Sequence, residues 1–551
     1  MQHLTTDVLI IGSGGAGLRA AIEARRQGAE VFLISKPNKT YTCCTTLSNG
    51  VFRASKDDKS IEKHFRDTLE AGRYLGNPVL VKILVSEAWP ALMELEKFGI
   101  RLLIEDEKAS IIADRQPSGI FLSRALAREV IDLGGKIIDR AIVFNLSMDG
   151  ANCLGALALK SDTGEILHIS AKATILATGG FAGLFFHNDN PPGNLGNGIA
   201  LAFQSGAELQ DLEFVQFQPM FIDPGLPKMP ILDWLIEATK KIVPGGPLIN
   251  KKGERFLSRY NLTSQKILRD SLIVAIEREI SEEGSGGVVL FDLSNIAPED
   301  VVRACLLEYQ QKLVSPIAKI LTSNYFRIAS AAHYTMGGVK INERCETSVN
   351  GLYAAGEVTG GIHGANRLGG NSLTEILVFG KIAGRQASEF ARKTSLKKIN
   401  RKQAEASSMW IRSFLNKNKR AKIRPAELTR SIILIISKYL KPLRCEEGLL
   451  SALAELEKTE EKIPYICLEN LGEIRKAIEP IFMSTLARLI ITSALTRKES
   501  RGSHFRKDYP DRDDENWLKN IVIKQENGKL KILDKDSLSQ DYIFSERRAI
   551  S

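Results

Sequence analysis

The segment Asp7-Val-Leu-Ile-Ile-Gly-Ser-Gly-Gly-Ala-Gly17 contains a run of large aliphatic residues that leads directly into closely spaced glycines. Residues 18–26, which follow, are rich in alanine and arginine and are typical of a helix, and Gly28 is placed to end it. Residues 30–34 then form a second aliphatic run. Strand, glycine turn, helix and strand in this order predict a βαβ unit of a parallel sheet.

The turn has the spacing G-x-G-x-x-G, formed by Gly12, Gly14 and Gly17. In dinucleotide-binding turns the first glycine permits a tight turn, the second lets the backbone approach a pyrophosphate, and the third allows close packing of helix on strand. The acidic ribose ligand expected after the second strand is replaced by Ser35 and Lys36, and a hydroxyl can still hydrogen-bond a ribose. We therefore predict nucleotide binding at this turn.

Two later glycine segments favour FAD over NAD. Ala177-Thr-Gly-Gly180 and Gly356-Glu357 each follow a strand-like run, and a long flavin cofactor needs supports beyond the first turn. The carboxylate of Glu357 is placed to reach ribitol or ribose hydroxyls. No second G-x-G-x-x-G follows a strand, so the pattern predicts no separate pyridine-nucleotide domain, and we expect electrons to come from another donor.

Length and composition are those of a folded protein with several domains. The chain has 551 residues, of which 44% are hydrophobic and 25% charged, and this balance excludes a disordered or collagen-like chain. Its formal net charge of +10 is concentrated in residues 391–430, where thirteen Lys or Arg accompany two Glu. One basic stretch with few aromatic residues is typical of a solvated helical face or a protein docking surface, and we do not expect nucleic-acid binding.

The cysteines show no C-x-x-C pair; they are Cys43, Cys44, Cys153, Cys305, Cys345, Cys445 and Cys467. This spacing predicts neither a disulfide framework nor an iron–sulfur or zinc site, so we expect no metal. The first residues contain no basic segment with a long apolar run, and runs such as residues 432–436 are far shorter than the roughly 20 residues that span a bilayer. We expect a cytoplasmic protein that reaches a membrane only through a partner.

Further segments carry a family resemblance: His333-Tyr-Thr-Met-Gly-Gly338, His363-Gly-Ala-Asn-Arg-Leu-Gly-Gly-Asn-Ser-Leu373, Glu499-Ser-Arg-Gly-Ser-His-Phe-Arg506 and Asp508-Tyr-Pro-Asp-Arg-Asp-Asp514. Together with the glycine segments, and in the same order, they make the chain resemble the flavoprotein subunits of fumarate reductase and succinate dehydrogenase. L-Aspartate oxidase is similar. The resemblance covers nearly the whole length and implies FAD as the cofactor.

The resemblance implies an α/β fold in which a Rossmann-like FAD-binding domain carries an inserted capping domain and is followed by a helical domain and a C-terminal segment. We assign the FAD-binding domain to residues 1–216 and 333–390, and the capping domain, which would hold the substrate, to residues 217–332. The helical domain then covers 391–498 and the C-terminal segment 499–551. Apolar residues at three- and four-residue spacing agree with the helical assignment.

Members of this family exchange a hydride between flavin N5 and a carbon of a dicarboxylate, and an arginine of the capping domain moves the proton. The matching position is Arg269, which by its local sequence alone would be a helix-surface arginine paired with an acid. Arg367 and His333 match substrate ligands, and a guanidinium fork suits a carboxylate. Without the family, His333 would be interpreted as a buried histidine bonded to backbone.

The resemblance also assigns cofactor contacts: Gly12, Gly14, Gly15, Ala16, Gly17, Ser35, Lys36, Gly50, Thr178, Gly179, Asn197, Glu357, Asn371, Ser372 and Leu373. The side chain of Asn371 could equally shape its loop. The histidine that carries covalent FAD in respiratory members has no counterpart, because Cys43 or Cys44 lies near that place. We expect non-covalent FAD, with a cysteinyl link as the alternative.

Two departures from the family pattern concern the substrate. The family's Gln-Phe-His-Pro is Gln216-Phe-Gln-Pro219 here, so Gln218 replaces a substrate-binding histidine; an amide can bond a carboxylate but cannot carry a positive charge. The Thr-Glu pair expected next is Ile236-Glu237, which removes a hydroxyl and leaves Glu237 as a candidate ligand. The identity of the substrate is therefore the least defined part of the prediction.

We expect a flavoprotein subunit that reduces fumarate or a related unsaturated acid, with Arg269 as proton donor. Electrons would arrive through a separate iron–sulfur subunit, because this chain has no cysteine cluster. One alternative is a stand-alone oxidase for an amino acid such as L-aspartate. Another is a non-catalytic flavin electron-transfer subunit with a decayed substrate pocket, which Gln218 and Ile236 would allow.

Overall fold

The computed structural model describes residues 2–36, 42–113, 117–223, 243–263, 267–281, 287–294, 324–397, 401–414, 423–468 and 473–536, with a few single positions between them. Its α-helices are Gly15–Arg26, Cys44–Leu47, Asp58–Ala71, Pro78–Lys97, Gly119–Asp132, Asn197–Gln204, Arg269–Ser281, Asn371–Lys393, Arg401–Ser413, Pro425–Tyr439, Glu446–Glu460, Ile474–Thr496 and Asp514–Trp517. A further helix expected from the apolar spacing of residues 301–312 lies outside the described residues.

The largest sheet contains the predicted parallel strands. Its strands lie in the order Lys136–Ile138, Val31–Ile34, Gln2–Ile11, Ile166–Leu176, Asn152–Lys160 and Ala141–Asp149, and Leu352–Ala354 pairs with the last residues of Ile166–Leu176. Gln2–Ile11 runs parallel to Val31–Ile34, with Ile11 opposite Ile34, which confirms the predicted βαβ unit. Residues 8–11 are buried along their whole length, as expected where helices cover both faces of a parallel sheet.

A smaller antiparallel sheet forms the cap, in the order Val215–Phe221, Tyr325–Thr335, Val289–Asp292 and Leu248–Asn250. Together with the helix Arg269–Ser281, which packs against this sheet, we call this unit the cap. It has its own hydrophobic core, which includes Phe291 and Ile276. The expected domain boundary at residue 216 falls inside the first of these strands, so the cap sheet continues directly from the flavin-binding part.

The helices after residue 423 form a bundle. Pro425–Tyr439, Glu446–Glu460 and Ile474–Thr496 pack on one another, and the last also contacts Asn197–Gln204. Ile474–Thr496 is long and apolar enough to cross a membrane by length and composition, yet 67% of its most apolar window is buried inside the fold. That burial is the environment of a core helix.

The C-terminal segment adds strands to the flavin-binding part. Lys519–Glu526 pairs with Lys529–Asp536 as a hairpin and with Leu209–Gln210 on its other side, and this sheet continues through Gly338–Lys340 to Thr359–Gly360. The remaining described strands are Val51–Arg53, Leu102–Glu105, Lys108–Ile111, Leu443–Arg444 and Phe505–Arg506. The C-terminal segment is therefore an integral layer of the fold.

Candidate active site

A cavity of about 370 Å³ lies at the carboxyl ends of the parallel strands. All three glycine segments line it. The carboxyl edge of the strands is the place where open α/β sheets bind their ligands. Its lining includes the following predicted cofactor residues: Gly12, Gly14, Gly15, Ala16, Lys36, Thr178, Gly179, Asn197, Glu357, Ser372 and Leu373. The tertiary structure thus brings segments from four distant parts of the chain to one cavity.

The three glycines of the G-x-G-x-x-G turn differ in the atoms that surround them. Gly12 has a φ of +115°, and a Cβ there would lie 2.2 Å from the carbonyl oxygen of Ala177. A Cβ on Gly17 would lie 1.9 Å from the carbonyl oxygen of Gly12. At Gly14, by contrast, a Cβ would meet no described atom within 4 Å. Gly12 and Gly17 therefore serve packing, whereas Gly14 leaves open space for a pyrophosphate at the start of the helix.

Two buried polar atoms in the cavity wall also fit a bound dinucleotide. The hydroxyl of Thr178 and the amide nitrogen of Asn197 are buried and have no hydrogen-bond partner among the described residues. Buried polar groups in proteins are normally paired, so these two atoms are suited to phosphate or sugar oxygens of a bound dinucleotide. The residues present therefore fit an FAD cofactor.

Four of the predicted cofactor residues lie outside this lining: Gly17, Ser35, Gly50 and Asn371. The hydroxyl of Ser35 is 2.7 Å from that of Ser13. The side chain of Asn371 bonds the ring of His64 at 2.8 Å, which agrees with the loop-shaping alternative. Lys36 does line the cavity, and its ammonium group donates to Asn197 and to Glu479 of the helical bundle.

Glu357 and Cys44 lie in the same wall and have raised pKa values. Burial raises the pKa of Glu357 to about 7, and the nearby carboxylate of Glu375 adds to the rise. Burial also raises the pKa of the Cys44 thiol well above its ordinary value, and the charge of Glu357 acts in the same direction. Since a thiolate is the reactive form, Cys44 is poorly suited to form a covalent link. Cys43 lines the same cavity.

The three residues predicted to be catalytic meet where the cap contacts the flavin-binding part. His333 lines the cavity, and its Nε2 accepts a hydrogen bond from Nη2 of Arg367 at 3.2 Å. The same Nη2 donates to Oε1 of Gln216 at 2.9 Å, and Nη1 of Arg269 donates to that oxygen at 3.3 Å. We call Gln216, Arg269, His333 and Arg367 the cap cluster. Sequence reasoning did not single out Gln216 as a member.

Local backbone geometry places these side chains. Gln216 pairs with Tyr334 and Phe217 pairs with Ala332, so His333 is an extra residue in its strand. Such a β-bulge bends the strand and re-aims the side chain that it carries. Arg269 is the first residue of the cap helix, and the next residue, Asp270, forms an ion pair of 2.5 Å with Arg73 of the flavin-binding part.

The electrostatics of the cap cluster favour an anion. Burial lowers the pKa of Arg367 to about 10, and the charge of Arg269 lowers it further in the same direction. Both guanidinium groups donate to one neutral amide oxygen. A carboxylate placed there would relieve the repulsion between the two cations and accept from the fork of Arg367.

Asp189 is a second residue that sequence reasoning missed. Its Oδ2 accepts from Nδ1 of His333 at 2.8 Å and from Nε2 of Gln218 at 2.7 Å. No sequence motif marks Asp189. Gln216 does have a signal, because residues two apart on a strand point to the same face and Gln218 is a predicted substrate ligand. Ile236 is buried in the core of the cap, and Glu237 lies outside the described residues.

Two family models match the chain. The one described as the FAD binding domain matches residues 7–373, and the one described as the fumarate reductase flavoprotein C-term matches residues 430–547. The chain belongs to this flavoprotein family. Together the two matches cover most of the cavity lining, the whole cap cluster and most of the C-terminal segment. The family is that of the flavoprotein subunits of fumarate reductase and succinate dehydrogenase.

Relatives of this flavoprotein match over nearly their full length. An uncharacterized FAD-dependent oxidoreductase of Methanocaldococcus jannaschii is 37% identical over 95% of this chain and 96% of its own. One subunit of the CoM/CoB fumarate reductase of Methanothermobacter marburgensis is 33% identical, over 94% of this chain and 97% of its own. The solved structure of Mycobacterium smegmatis Sdh1 with UQ1 has a TM-score of 0.87 at 26% identity and covers 100% of this chain and 98% of its own.

These comparisons confirm the predicted family, the fold class and FAD as the cofactor. This flavoprotein is an FAD-dependent oxidoreductase of the fumarate reductase and succinate dehydrogenase type. The relatives do not favour the amino-acid oxidase or the non-catalytic electron-transfer alternative.

Proposed function

We propose that this flavoprotein reduces the carbon–carbon double bond of an unsaturated carboxylate such as fumarate, with Arg269 as the proton donor. The observation that carries the proposal is the convergence of Arg269 and Arg367 on one oxygen of Gln216, beside a histidine that lines the flavin cavity. Two cations beside a histidine of the cavity wall are suited to an anionic substrate.

The glycine turn, Thr178 and Asn197 would hold FAD, which, once reduced by the partner's electrons, would supply the hydride for one alkene carbon. In the proposed reaction Arg367 binds the substrate carboxylate through its fork, and the amide of Gln216 yields its place as acceptor. Arg269 delivers a proton to the other alkene carbon, so hydride and proton together convert the double bond to a single bond. Arg269 is then neutral and must regain a proton before the next turnover.

The ion pair between Arg73 and Asp270 supports the position of Arg269. Asp270 adjoins Arg269 in sequence, and its carboxylate side chain is 6% exposed. Because Arg73 belongs to the flavin-binding part, this pair joins the cap to it beside the cap cluster. A proton donor must be held within hydrogen-bond reach of the reacting carbon's position, and we assign this pair that positioning role.

We also propose that FAD is held without a covalent bond and that a separate iron–sulfur subunit supplies its electrons. The raised pKa of the Cys44 thiol supports the first point. For the second, the described residues contain no group of His, Cys, Asp or Glu that could hold a metal ion, and the Methanothermobacter relative is named as one component of a larger enzyme. In this proposal any contact with a membrane is made through a partner.

An anaerobic assay tests the proposed reaction. Purified protein is mixed with a reduced viologen dye, fumarate is added, and dye oxidation is followed by absorbance. We expect fumarate-dependent dye oxidation, with succinate as the product. In a parallel aerobic assay with L-aspartate we expect no hydrogen peroxide. Peroxide formation from L-aspartate without any fumarate reduction would contradict the proposal.

A further inference from the structure

Gln218, a predicted substrate ligand, lies beside Asp189 of the cavity wall, and its amide has one unpaired end. Its side chain is fully buried, and its Nε2 donates to Oδ2 of Asp189 at 2.7 Å. A carboxylate accepts hydrogen bonds and cannot donate them, so the nitrogen of the amide must face Asp189. This leaves Oε1 of Gln218 as the other end, and it has no hydrogen-bond partner among the described residues.

His333, which also contacts Asp189, is uncharged in this arrangement. Arg367 can only donate, so Nε2 of His333 is the acceptor in their contact of 3.2 Å. Nδ1 of His333 therefore carries the proton and donates to Asp189 at 2.8 Å. In this arrangement the ring is neutral, and the carboxylate of Asp189, whose side chain is 5% exposed, is the charged group of this end.

The substrate region therefore has two unlike ends. At one end Arg269 and Arg367 offer cationic donors for a carboxylate. At the other end, which we call the glutamine end, Gln218 and Asp189 offer a neutral acceptor and a negative charge. A second carboxylate here would face a lone pair and a like charge, and both disfavour a buried anion. A neutral N–H or O–H group would instead pair the unused oxygen of Gln218.

We propose that the substrate is an unsaturated monocarboxylate whose far end carries a neutral hydrogen-bond donor, such as a carboxamide, and that Gln218 determines this specificity. Oε1 of Gln218 accepts the donor, and Asp189 holds the amide in that orientation. The inference rests on the proposed alkene reduction and names its substrate class. Fumarate is then a poorer substrate than its monoamide, although both carry the same double bond.

Three substrates that differ only at the far end test the inference. They are fumarate, its monoamide fumaramate, and monomethyl fumarate, which is neutral but has no donor. We expect kcat/KM for fumaramate to exceed the values for the other two by at least about tenfold, since a site with a buried acceptor rejects analogues that leave it unpaired. Binding of the saturated analogues succinamate and succinate, followed through the absorption of oxidised flavin, should show the same order.

Variants then assign the preference to Gln218. Gln218→Leu should bring the ratio of kcat/KM for fumaramate and monomethyl fumarate close to one. Gln218→His should raise the value for fumarate relative to fumaramate by at least about tenfold, because an imidazole can donate to a carboxylate. The control is Gln386→Leu, another buried glutamine with an unpaired Oε1. It lies on the helix Asn371–Lys393, roughly 22 Å along the axis from Asn371, and should leave every ratio unchanged.

The outcomes separate this inference from the proposed function. If fumarate is the fastest substrate, succinate binds more tightly than succinamate, and Gln218→Leu leaves the ratios unchanged, the inference is overturned while alkene reduction stands. If none of the three compounds oxidises the reduced flavin, the proposed function fails. The binding titrations with the saturated analogues then still decide whether the glutamine end prefers a donor or a carboxylate.

Discussion

The flavin cavity and the cap cluster are built in different ways. In the cavity, glycines such as Gly12 and Gly14 shape the backbone, and the important contacts are made within a short turn or between strands of one sheet. In the cap cluster, side chains make the contacts: Gln216 and Arg367, which are 151 residues apart, share a hydrogen bond. The glycine turn is thus shaped by its backbone, whereas the cap cluster depends on side chains that only the fold brings together.

This difference has a consequence for variants. A change in the glycine turn should affect FAD content first, and activity only as a result. A change in the cap cluster should affect turnover or substrate binding and leave FAD content as it is. Substitutions in the two regions therefore test this separation, and the largest effect is expected in the cap cluster.

Arg269→Lys should lower turnover by roughly 10²–10⁴-fold, because positioned acid–base groups contribute about that much. FAD content should be unchanged, since Arg269 is not among the residues that line the described cavity. The measurement is fumarate-dependent oxidation of a reduced dye beside the flavin-to-protein ratio. Arg278→Lys, on the same cap helix, is the matched control and should keep full activity. Equal turnover in Arg269→Lys and wild type would remove Arg269 as the proton donor.

Two alanine substitutions in one turn should have different effects. Gly12→Ala should lower the free energy of unfolding by about 2–4 kcal/mol, because the residue has a φ of +115° and its Cβ would meet the carbonyl oxygen of Ala177. Gly14 has a φ of −72°, which alanine adopts easily, so Gly14→Ala should keep the stability of the apoprotein. Its methyl group would instead occupy the space for a pyrophosphate and weaken FAD binding by at least about tenfold.

Urea unfolding of the apoproteins and titration with FAD separate these two effects. Urea gives the stability difference, and quenching of flavin fluorescence on binding gives the dissociation constant. The glycine turn would lose its assigned division of roles if Gly14→Ala were as unstable as Gly12→Ala.

Arg367 should make carboxylate binding depend on pH. Its guanidinium group is charged below its pKa, which burial and Arg269 lower to about 10, so attraction for a carboxylate is fully present at neutral pH and is lost as the pH rises through about 10. We expect the dissociation constant of succinamate to stay level from about pH 7 to 9 and then to rise, by up to about tenfold per pH unit. Arg367→Gln should bind weakly at every pH and show no such rise; the same inflection in this variant would assign it to another group.

The smallest effect is expected at Cys44. Acid precipitation should release yellow FAD into the supernatant, and Cys44→Ser should leave both FAD content and its release unchanged, because the raised pKa of the thiol keeps it protonated. Release is measured by absorbance of the supernatant after centrifugation. Flavin that stays with the precipitated wild-type protein, and is released from Cys43→Ser or Cys44→Ser, would identify a cysteinyl link.

Sequence reasoning succeeded where a structure depends on neighbouring residues. The turn of Gly12, Gly14 and Gly17 was predicted with its flanking strands because each glycine answers a local steric requirement. The local sequence of Arg269 is that of a helix-surface arginine, and Arg269 is indeed the first residue of a helix. The roles of Arg269, His333 and Arg367 came from the family resemblance and stay predictions, although the structure brings the three side chains together.

It failed where a contact depends on the path of the chain. Asp189 touches a histidine 144 residues away, and no local pattern reports that distance. The hairpin Lys519–Glu526 and Lys529–Asp536 was not predicted, because charged side chains flank its three consecutive buried residues, two of which pair it with Leu209–Gln210.

The βαβ turn, the flavin cofactor and the family follow from the amino-acid sequence, because each rests on short segments whose backbone requirements are met by residues next to one another. Which side chains form the cap cluster depends instead on the fold. The β-bulge at His333 forms between two strands of the cap, and the contacts of Gln216 with Arg367 and of Gln218 with Asp189 form where the cap meets the flavin-binding part. Hydrogen bonds act over about 3 Å, so residues far apart in sequence acquire a common chemistry only once the fold has placed them together.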